Sequence, residues 1–366
     1  MNRSKRKRSE MDSEKRKSKD AIIESLPQIL LPWFGENARD LPWRHEVTPY
    51  RVWVSEIMLQ QTRVEAVKSY FIRFMKELPT VYDLAKVQED QLLKLWEGLG
   101  YYSRSRNLQK AAVRIVEDYN GELPQKYESL LSLPGIGSYT AGAIASIAFC
   151  QPVPAVDGNV LRVLSRICAD ERDIADLAVK RDWEDNLRKF MPGEKSGVYN
   201  QALMELGAIV CVPNGLPKCE ICPAKKICGA LKQGKTGLLP VKSPKKPRKI
   251  EEKTVFLLKW DDKIGLLRRP SKGLLAGLWE LPNVPGILTQ EEAIEAARAW
   301  GVEPLRISLI GSAKHIFTHV EWHMTAYRII VEQTCGMMVW ASPSERSRKF
   351  ALPSAFQMFL TEKEKE

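Results

Sequence analysis

The 366-residue sequence predicts a multidomain protein, an all-α domain followed by a smaller α+β domain. Three observations carry this. From residue 21 to about 210, apolar residues recur at helical spacing, and no strand-like alternation of useful length interrupts them. The stretch "KTGLLPVKSPKKPRKI" (235–250) holds three prolines and many lysines, which is linker chemistry. Beyond it, short β-rich runs alternate with turns. The boundaries are a basic tail at 1–20, a helical domain at 21–231, a basic Pro/Lys linker at 232–250 and a C-terminal domain at 251–366.

The elements follow in order. Residues 1–20 are of low complexity and are expected to be disordered. "VWVSEIMLQQTRVEAVKSYFIRFMKEL" (52–78) reads as helical, with no internal Gly or Pro. "RNLQKAAVRIVEDYNGELP" (106–124) is an amphipathic helix stopped by Asn-Gly and then Pro, and "NQALMELGAIVC" (200–211) is another helix. In the C-terminal domain, "TVFLLKW" and "KIGLLRR" flank Asp-Asp as a hairpin. "TQEEAIEAARAWGV" (289–302) is a helix with Thr289 as N-cap and Gly301 as its stop. "RISLIGS" and "AYRIIVEQ" are strands.

The formal charge is +11, and it is localised. The tail nets +5, residues 232–249 net +7, and the remainder nets −1. Basic arms of this kind attract nucleic acid without sequence preference. No apolar run reaches the ~18 residues of a membrane span. The charged N-terminus is not a signal peptide, so a soluble, intracellular protein is expected.

Four of the seven cysteines, Cys211, Cys219, Cys222 and Cys228, fall within "CVPNGLPKCEICPAKKIC". Four thiolates in one short loop are metal-ligand chemistry in a reducing compartment. Zinc and an iron–sulfur cluster both accept them. The unequal spacing, with a single C-x2-C, favours [4Fe–4S] over a zinc ribbon. Lys218, Lys225 and Lys226 in that loop could rest on phosphates.

"LPGIGSYTAGAIASIAF" raises a different chemistry. Gly135 and Gly137 allow positive φ and close backbone approach, and the helix that follows begins around Ser138. Its free N–H groups form an anion site suited to one DNA phosphate. Asp157, in "PVPAVDGNVLRVLSR", opens another helix. Glu56 stands among Val, Trp, Ile, Met and Leu, either on a solvated face or desolvated with a raised pKa. A raised Glu and an ionised, helix-capping Asp are the acid and stabiliser that glycosidic bond cleavage needs.

These segments, together with "LPWR" (41–44), "VSEIMLQQTRV" (54–64) and "EGLGYYSRSRNL" (97–108), resemble the helix-hairpin-helix DNA glycosylases that carry an iron–sulfur cluster. Within them they resemble the branch that removes adenine mispaired with 8-oxoguanine. The resemblance is dense over 21–230 and looser over 250–360. It implies a [4Fe–4S] cofactor on the four cysteines and a monomer acting on double-stranded DNA with A:8-oxoguanine or A:G mispairs. It also implies that Glu56 protonates the flipped adenine and helps activate water, Asp157 stabilises the sugar cation, and Asn159 orients sugar or water. Relatives that nick the strand place a lysine where this chain has Tyr139, so a monofunctional enzyme leaving an abasic site is implied, with Tyr139 shaping the sugar pocket. Arg44 and Gln201 would hold the adenine edge, Gln61 would plug the gap, and Leu99 and Tyr101 would wedge beside 8-oxoguanine. Flipping costs a few kcal/mol, less at a mispair.

Two departures from the family stand out. Seven residues separate Cys211 from Cys219 where the family has six, and Thr318 replaces the serine of a Phe-Ser-His motif in "HIFTH" (315–319). Thr318 and His319 would read 8-oxoguanine. "GLLAGLWELP" (273–282) resembles the start of a Nudix fold, but the R-E-x-x-E-E helix of a Nudix hydrolase is missing. His315, His319 and His323 are four apart, which places them on one face of a helix or strand. "SKRKRSE" resembles a nuclear localisation signal or a nucleoid-associated tail, and a bacterial cytoplasm is expected. A DNA-binding regulator without catalysis is the competing class. It explains the cysteines, the hairpin and the basic arms, but not Glu56 alongside Asp157.

Overall fold

A computed structural model describes residues 2–244 and 247–360. The chain forms two units, one of residues up to Ala85 with Asn107–Pro244, the other of Lys86–Arg106 with the described residues from 247 onward. Among the described residues, no helix is long and apolar enough to cross a membrane.

The first unit is helical. Its opening helix runs Asn2–Asn37, through residues expected to be disordered. Lys, Arg, Glu and Met are good helix formers, and no Gly or Pro occurs before Pro27. Ile23, Leu26 and Leu30 are fully buried against Leu164, Trp183 and Leu203. Each such side chain contributes roughly 1.5–3 kcal/mol, enough together to hold the helix through Pro27 and Pro32. The linker is not a free tether at its start. Arg166 Nε donates to Leu239 O at 2.7 Å, Ile174 N donates to Val241 O at 3.1 Å, and Lys235 pairs with Glu171 at 2.6 Å.

The 52–78 segment is two helices, Pro49–Leu59 and Val64–Glu77. Gln61 lies between them at φ +58. Neither Gly nor Pro marks the break. A long-range contact does, because Gln60 Nε2 donates to Thr140 Oγ1 at 3.1 Å.

The helix Ser138–Ile147 is pressed onto residues 154–155, which lead into Asp157. A Cβ on Gly142 would lie 2.2 Å from Pro154 O. Backbone cannot yield as a side-chain tip does, so Gly142→Ala is expected to lose about 1–3 kcal/mol of stability. Urea denaturation measures this, and an unchanged midpoint would contradict the packing.

The second unit is α+β. Its strands are β1 (Lys249–Trp260), β2 (Lys263–Arg268), β3 (Trp279–Glu280), β4 (Asn283–Pro285), β5 (Pro304–Ile316), β6 (Val320–Val331) and β7 (Val339–Ala341). The order is β3-β2-β1-β6-β5, with β4 on β1 and β7 on β2. β1 and β6 run parallel at the centre, and the β1–β2 hairpin turns at Asp261-Asp262. Alternate residues of the central strands fill two cores. Val255, Leu257, Trp322 and Met324 meet Leu352 and Phe356. Phe256, Leu258 and Ile329 meet Ala293 and Ala297 on the other face. Those two alanines belong to the helix Gln290–Ala299, whose capping box joins Thr289 and Glu292.

Lys86–Arg106 belongs to this unit through specific bonds. Lys94 Nζ donates to Arg346 O and Phe350 O at 3.0 and 3.1 Å. Glu97 Oε1 accepts from Leu352 N at 2.8 Å and Gln357 Nε2 at 3.1 Å.

Candidate active site

Glu56 sits on the helix Pro49–Leu59, which Thr48 caps by accepting from Arg51 N. Every residue from Val52 to Met58 is buried, so this helix has no solvated face at Glu56, which is 6% exposed. Burial pushes its carboxyl up to about 7, the nearby Asp157 adds to the rise, and Tyr139 and Arg44 oppose it. Tyr139 Oη donates to Glu56 Oε2 and lies 3.7 Å from Met204 Sδ. Burial, and next the Glu56 carboxyl, hold the Tyr139 phenol well above its usual pKa, so it keeps its proton.

Asp157 is the N-cap of the helix Gly158–Ile167. Its Oδ1 accepts from Val160 N at 2.8 Å and its Oδ2 from Asn159 Nδ2 at 2.7 Å. Burial raises its pKa, and these two donors with Arg162 oppose the rise. Asp157 accepts from two donors and Glu56 from the Tyr139 phenol, so hydrogen bonding favours the charge on Asp157 over Glu56. Asn159 Oδ1 in turn accepts from Arg162 Nη2 at 2.8 Å. Arg162 Nε reaches Cys211 O at 2.8 Å, which ties the cysteine loop to the cap.

Arg44, from the short helix Pro42–His45, and Gln201, from the helix Ser196–Ile209, meet across the unit. Arg44 Nε donates to Gln201 Oε1 at 3.1 Å. Glu205 lies behind them with Arg39, and neither was singled out by sequence reasoning. The available signal was the one charged residue of that helix, four residues after Gln201.

One cleft of about 720 Å³ in the first unit is lined by Arg44, Glu56, Gln61, Tyr139, Asp157, Asn159 and Gln201. Gly137 lines it too, as N-cap of the helix Ser138–Ile147 with no side-chain cap. Of the two hairpin glycines, Gly135 has positive φ (+78), and a Cβ there would lie 2.7 Å from Asn107 Cβ. Gly137 is extended and faces open space, so it serves as a bare entry to the helix rather than a left-handed hinge.

The candidate 8-oxoguanine contacts lie in the second unit. Tyr101, at φ +46 and 44% exposed, has its Oη 2.9 Å from Thr318 Oγ1. Thr318 and His319 are exposed in the turn between β5 and β6. Leu99 is 5% exposed, so of the two wedge candidates Tyr101 is the one presented at the surface. That turn also corrects the expectation that three histidines share one face. His315 pairs with Trp322 and Lys314 with His323 across the reversal, so His315 and His323 hold adjacent register positions on opposite faces. His323 Nε2 is bonded to Glu321 Oε1 at 2.7 Å.

Cys211, Cys219, Cys222 and Cys228 line a single small cavity. Burial pushes the Cys222 thiol up to about 11 and raises Cys219 and Cys228. Among the described residues, no three His, Cys, Asp or Glu side chains converge as a site for one metal ion.

The profile of the HhH-GPD superfamily of base excision DNA repair proteins matches residues 54–189, and that of the NUDIX domain matches 254–362. The adenine DNA glycosylase of Mus musculus is 36% identical over 405 residues, covering 93% of this chain and 78% of that protein. The adenine DNA glycosylase of Homo sapiens is 35% identical, covering 85% of this chain and 68% of that one, and a Buchnera aphidicola adenine DNA glycosylase is 33% identical, covering 84% and 86%. Among solved structures, a thermostable thymine-DNA glycosylase matches with 27% identity and a TM-score of 0.51, over 60% of this chain and 98% of that one. An endonuclease III–DNA complex gives 27% and 0.51, over 59% and 97%. The chain, with its helical and Nudix-like domains, belongs to the adenine DNA glycosylase family.

Proposed function

We propose that this protein is a monofunctional adenine DNA glycosylase acting as a monomer on duplex DNA in which adenine lies opposite 8-oxoguanine or guanine. The observation that carries the reading is the pair of unlike carboxyls in one cleft, Glu56 with its pKa raised to about 7 and Asp157 hydrogen-bonded as a helix cap. Adenine flips into the cleft, where Arg44 and Gln201 hold its edge. Glu56 gives its proton to the purine ring. The bond from the sugar C1′ to the base nitrogen breaks, and its electrons leave with the neutral adenine. The cation left on the sugar faces the Asp157 carboxylate, which stabilises it electrostatically. Glu56, now ionised, takes a proton from water as the water oxygen bonds to C1′. Asn159, held by Arg162, orients sugar or water.

Tyr139 offers a phenol where a lyase needs an amine, so no Schiff base forms and the strand is left intact. A phosphate rests on the Gly135–Gly137 turn and the uncapped N–H groups beyond it. Gln61 fills the gap in the stack. Tyr101, Thr318 and His319 form the 8-oxoguanine reader, supported by the Tyr101–Thr318 bond. The Nudix-like domain reads damage rather than hydrolysing nucleotides, since Glu292 is spent on its cap and Glu295 on Arg298.

The four cysteines fit a [4Fe–4S] cluster. All four thiols line one small cavity, and four thiolates are the ligand set such a cluster takes. Cys211, Cys219, Cys222 and Cys228 would hold the cluster, and cross-linking them would brace the loop that carries Lys218, Lys225 and Lys226. The basic linker and the duplex substrate support placement beside the chromosome.

The test is single-turnover excision on adenine opposite 8-oxoguanine, with and without alkali, beside an A:T duplex. Breaks only after alkali, on the mispair alone, are expected. Breaks without alkali would overturn the reading of Tyr139.

A further inference from the structure

Glu205 is a charged side chain almost wholly withdrawn from water, 1% exposed. Its Oε1 accepts from Arg39 Nε at 2.6 Å and Arg39 N at 3.0 Å. Its Oε2 accepts from Arg39 Nη2 at 3.1 Å and Arg44 Nη2 at 2.9 Å. The two arginines hold the Glu205 carboxyl below its usual pKa against burial, so it is ionised. The other nitrogens of Arg44 are also engaged, Nη1 on Arg39 O at 2.9 Å and Nε on Gln201 Oε1 at 3.1 Å. Phe34 covers the guanidinium, with its ring centroid 5.1 Å from Cζ. Position and plane of Arg44 are therefore set from three sides, and only the buried carboxylate supplies opposite charge.

That charge matters because the same cleft must keep Glu56 protonated. The groups acting on Glu56 are Tyr139 from the helix Ser138–Ile147, Asp157 at the cap of Gly158–Ile167, and Arg44. Arg39, Lys180 and Glu205 complete the charged lining. Arg44 favours the ionised acid, and a guanidinium nearer to Glu56 would do so more strongly. Glu205 is buried while Arg39 and Arg44 stay partly exposed, so the carboxylate holds the two guanidiniums from beneath the cleft.

We propose that Glu205 is a positioning residue for base excision, clamping Arg44 in the plane that meets the adenine edge and holding its charge off the proton donor Glu56. The inference rests on the assignment of Arg44 to the adenine edge.

The experiment compares single-turnover excision against pH for wild type, Glu205→Gln, Glu205→Asp and Arg44→Gln, with affinity for an abasic duplex as a fold control. Glu205→Gln is expected to lose about tenfold or more at neutral pH while abasic-duplex affinity stays within about threefold. The loss grows as pH rises, because freed arginines favour ionised Glu56 and move the alkaline limb to lower pH. Glu205→Asp keeps the charge, so its limb stays at the wild-type position even if its rate falls; it also serves if Glu205→Gln does not fold. A wild-type rate in Glu205→Gln, or equal loss at every pH with an unmoved limb, overturns the proposal. If Glu205→Asp is the only variant that folds, a displaced limb in it does the same. A wild-type rate in Arg44→Gln instead overturns the adenine-edge assignment beneath it, whatever Glu205→Gln does.

Discussion

Asp157→Asn is expected to cut single-turnover excision by about a thousandfold or more, ~4 kcal/mol of transition-state stabilisation, with abasic-duplex affinity within about threefold of wild type. The substitution is nearly isosteric, and Asn caps helices about as well as Asp. The bond from Val160 N to the side-chain oxygen therefore has a replacement. What Asn lacks is the charge proposed to face the sugar cation. A DNA-binding regulator would lose nothing by this change, so retained binding with lost excision separates the two classes. A variant that melts early and binds poorly would instead reduce Asp157 to a cap.

Glu56→Gln has the second large effect. An amide cannot give a proton to the base or take one from water, and positioned acid–base groups contribute about a hundredfold to ten-thousandfold. The excision rate of the wild type should fall as pH rises through about 7, because the acid form of Glu56 is consumed there. Glu56→Gln should lose that limb along with the rate. Stability moves the other way. The folded pKa of Glu56 lies above the ordinary glutamate value of 4.5, so the folded state binds the extra proton. Its contribution is intact below about 4.5 and is lost as pH rises through about 7. Over that window the wild type gives up on the order of 3 kcal/mol that Glu56→Gln retains. Denaturation midpoints of the variant should therefore exceed those of the wild type in mildly alkaline buffer. A midpoint gap that does not change with pH would contradict the burial argument.

Local chemistry was legible in the sequence where it depends on neighbours in the chain. The starts of the Ser138 and Asp157 helices follow from Gly137 and from a capping carboxylate. The stop of the Ser103–Tyr119 helix follows from Asn120 and Gly121, both at positive φ. The Thr289 capping box lies within four residues. Glu56 stood out because an acid in an apolar run has few explanations.

What stayed hidden depends on contacts between distant residues. The break at Gln60–Arg63 has no breaker residue, only a bond to Thr140 eighty residues on. The helical state of residues 2–20 continues from an anchor at Ile23–Leu30, which composition alone does not reveal. Lys86–Arg106 joins the C-terminal unit through the ion pair of Lys94 and Glu97, each also bonded to residues some 250 positions away. The histidine spacing was misleading because strand periodicity does not survive a reversal at 317–319. Glu205 was visible only as one more acid on a helix until Arg39 and Arg44 closed on it from the other end of the unit.

The account turns on two carboxyls in opposite ionisation states within one cleft. The most direct measurement is an infrared difference titration of the intact protein from about pH 5 to pH 9, run on wild type and Glu56→Gln. One protonated-carboxyl band that titrates near pH 7 in the wild type and is missing from Glu56→Gln is the predicted result. Absence of any carboxyl band titrating between about pH 6 and pH 8 in the wild type would contradict it, because Glu56 would then hold no proton to give at neutral pH.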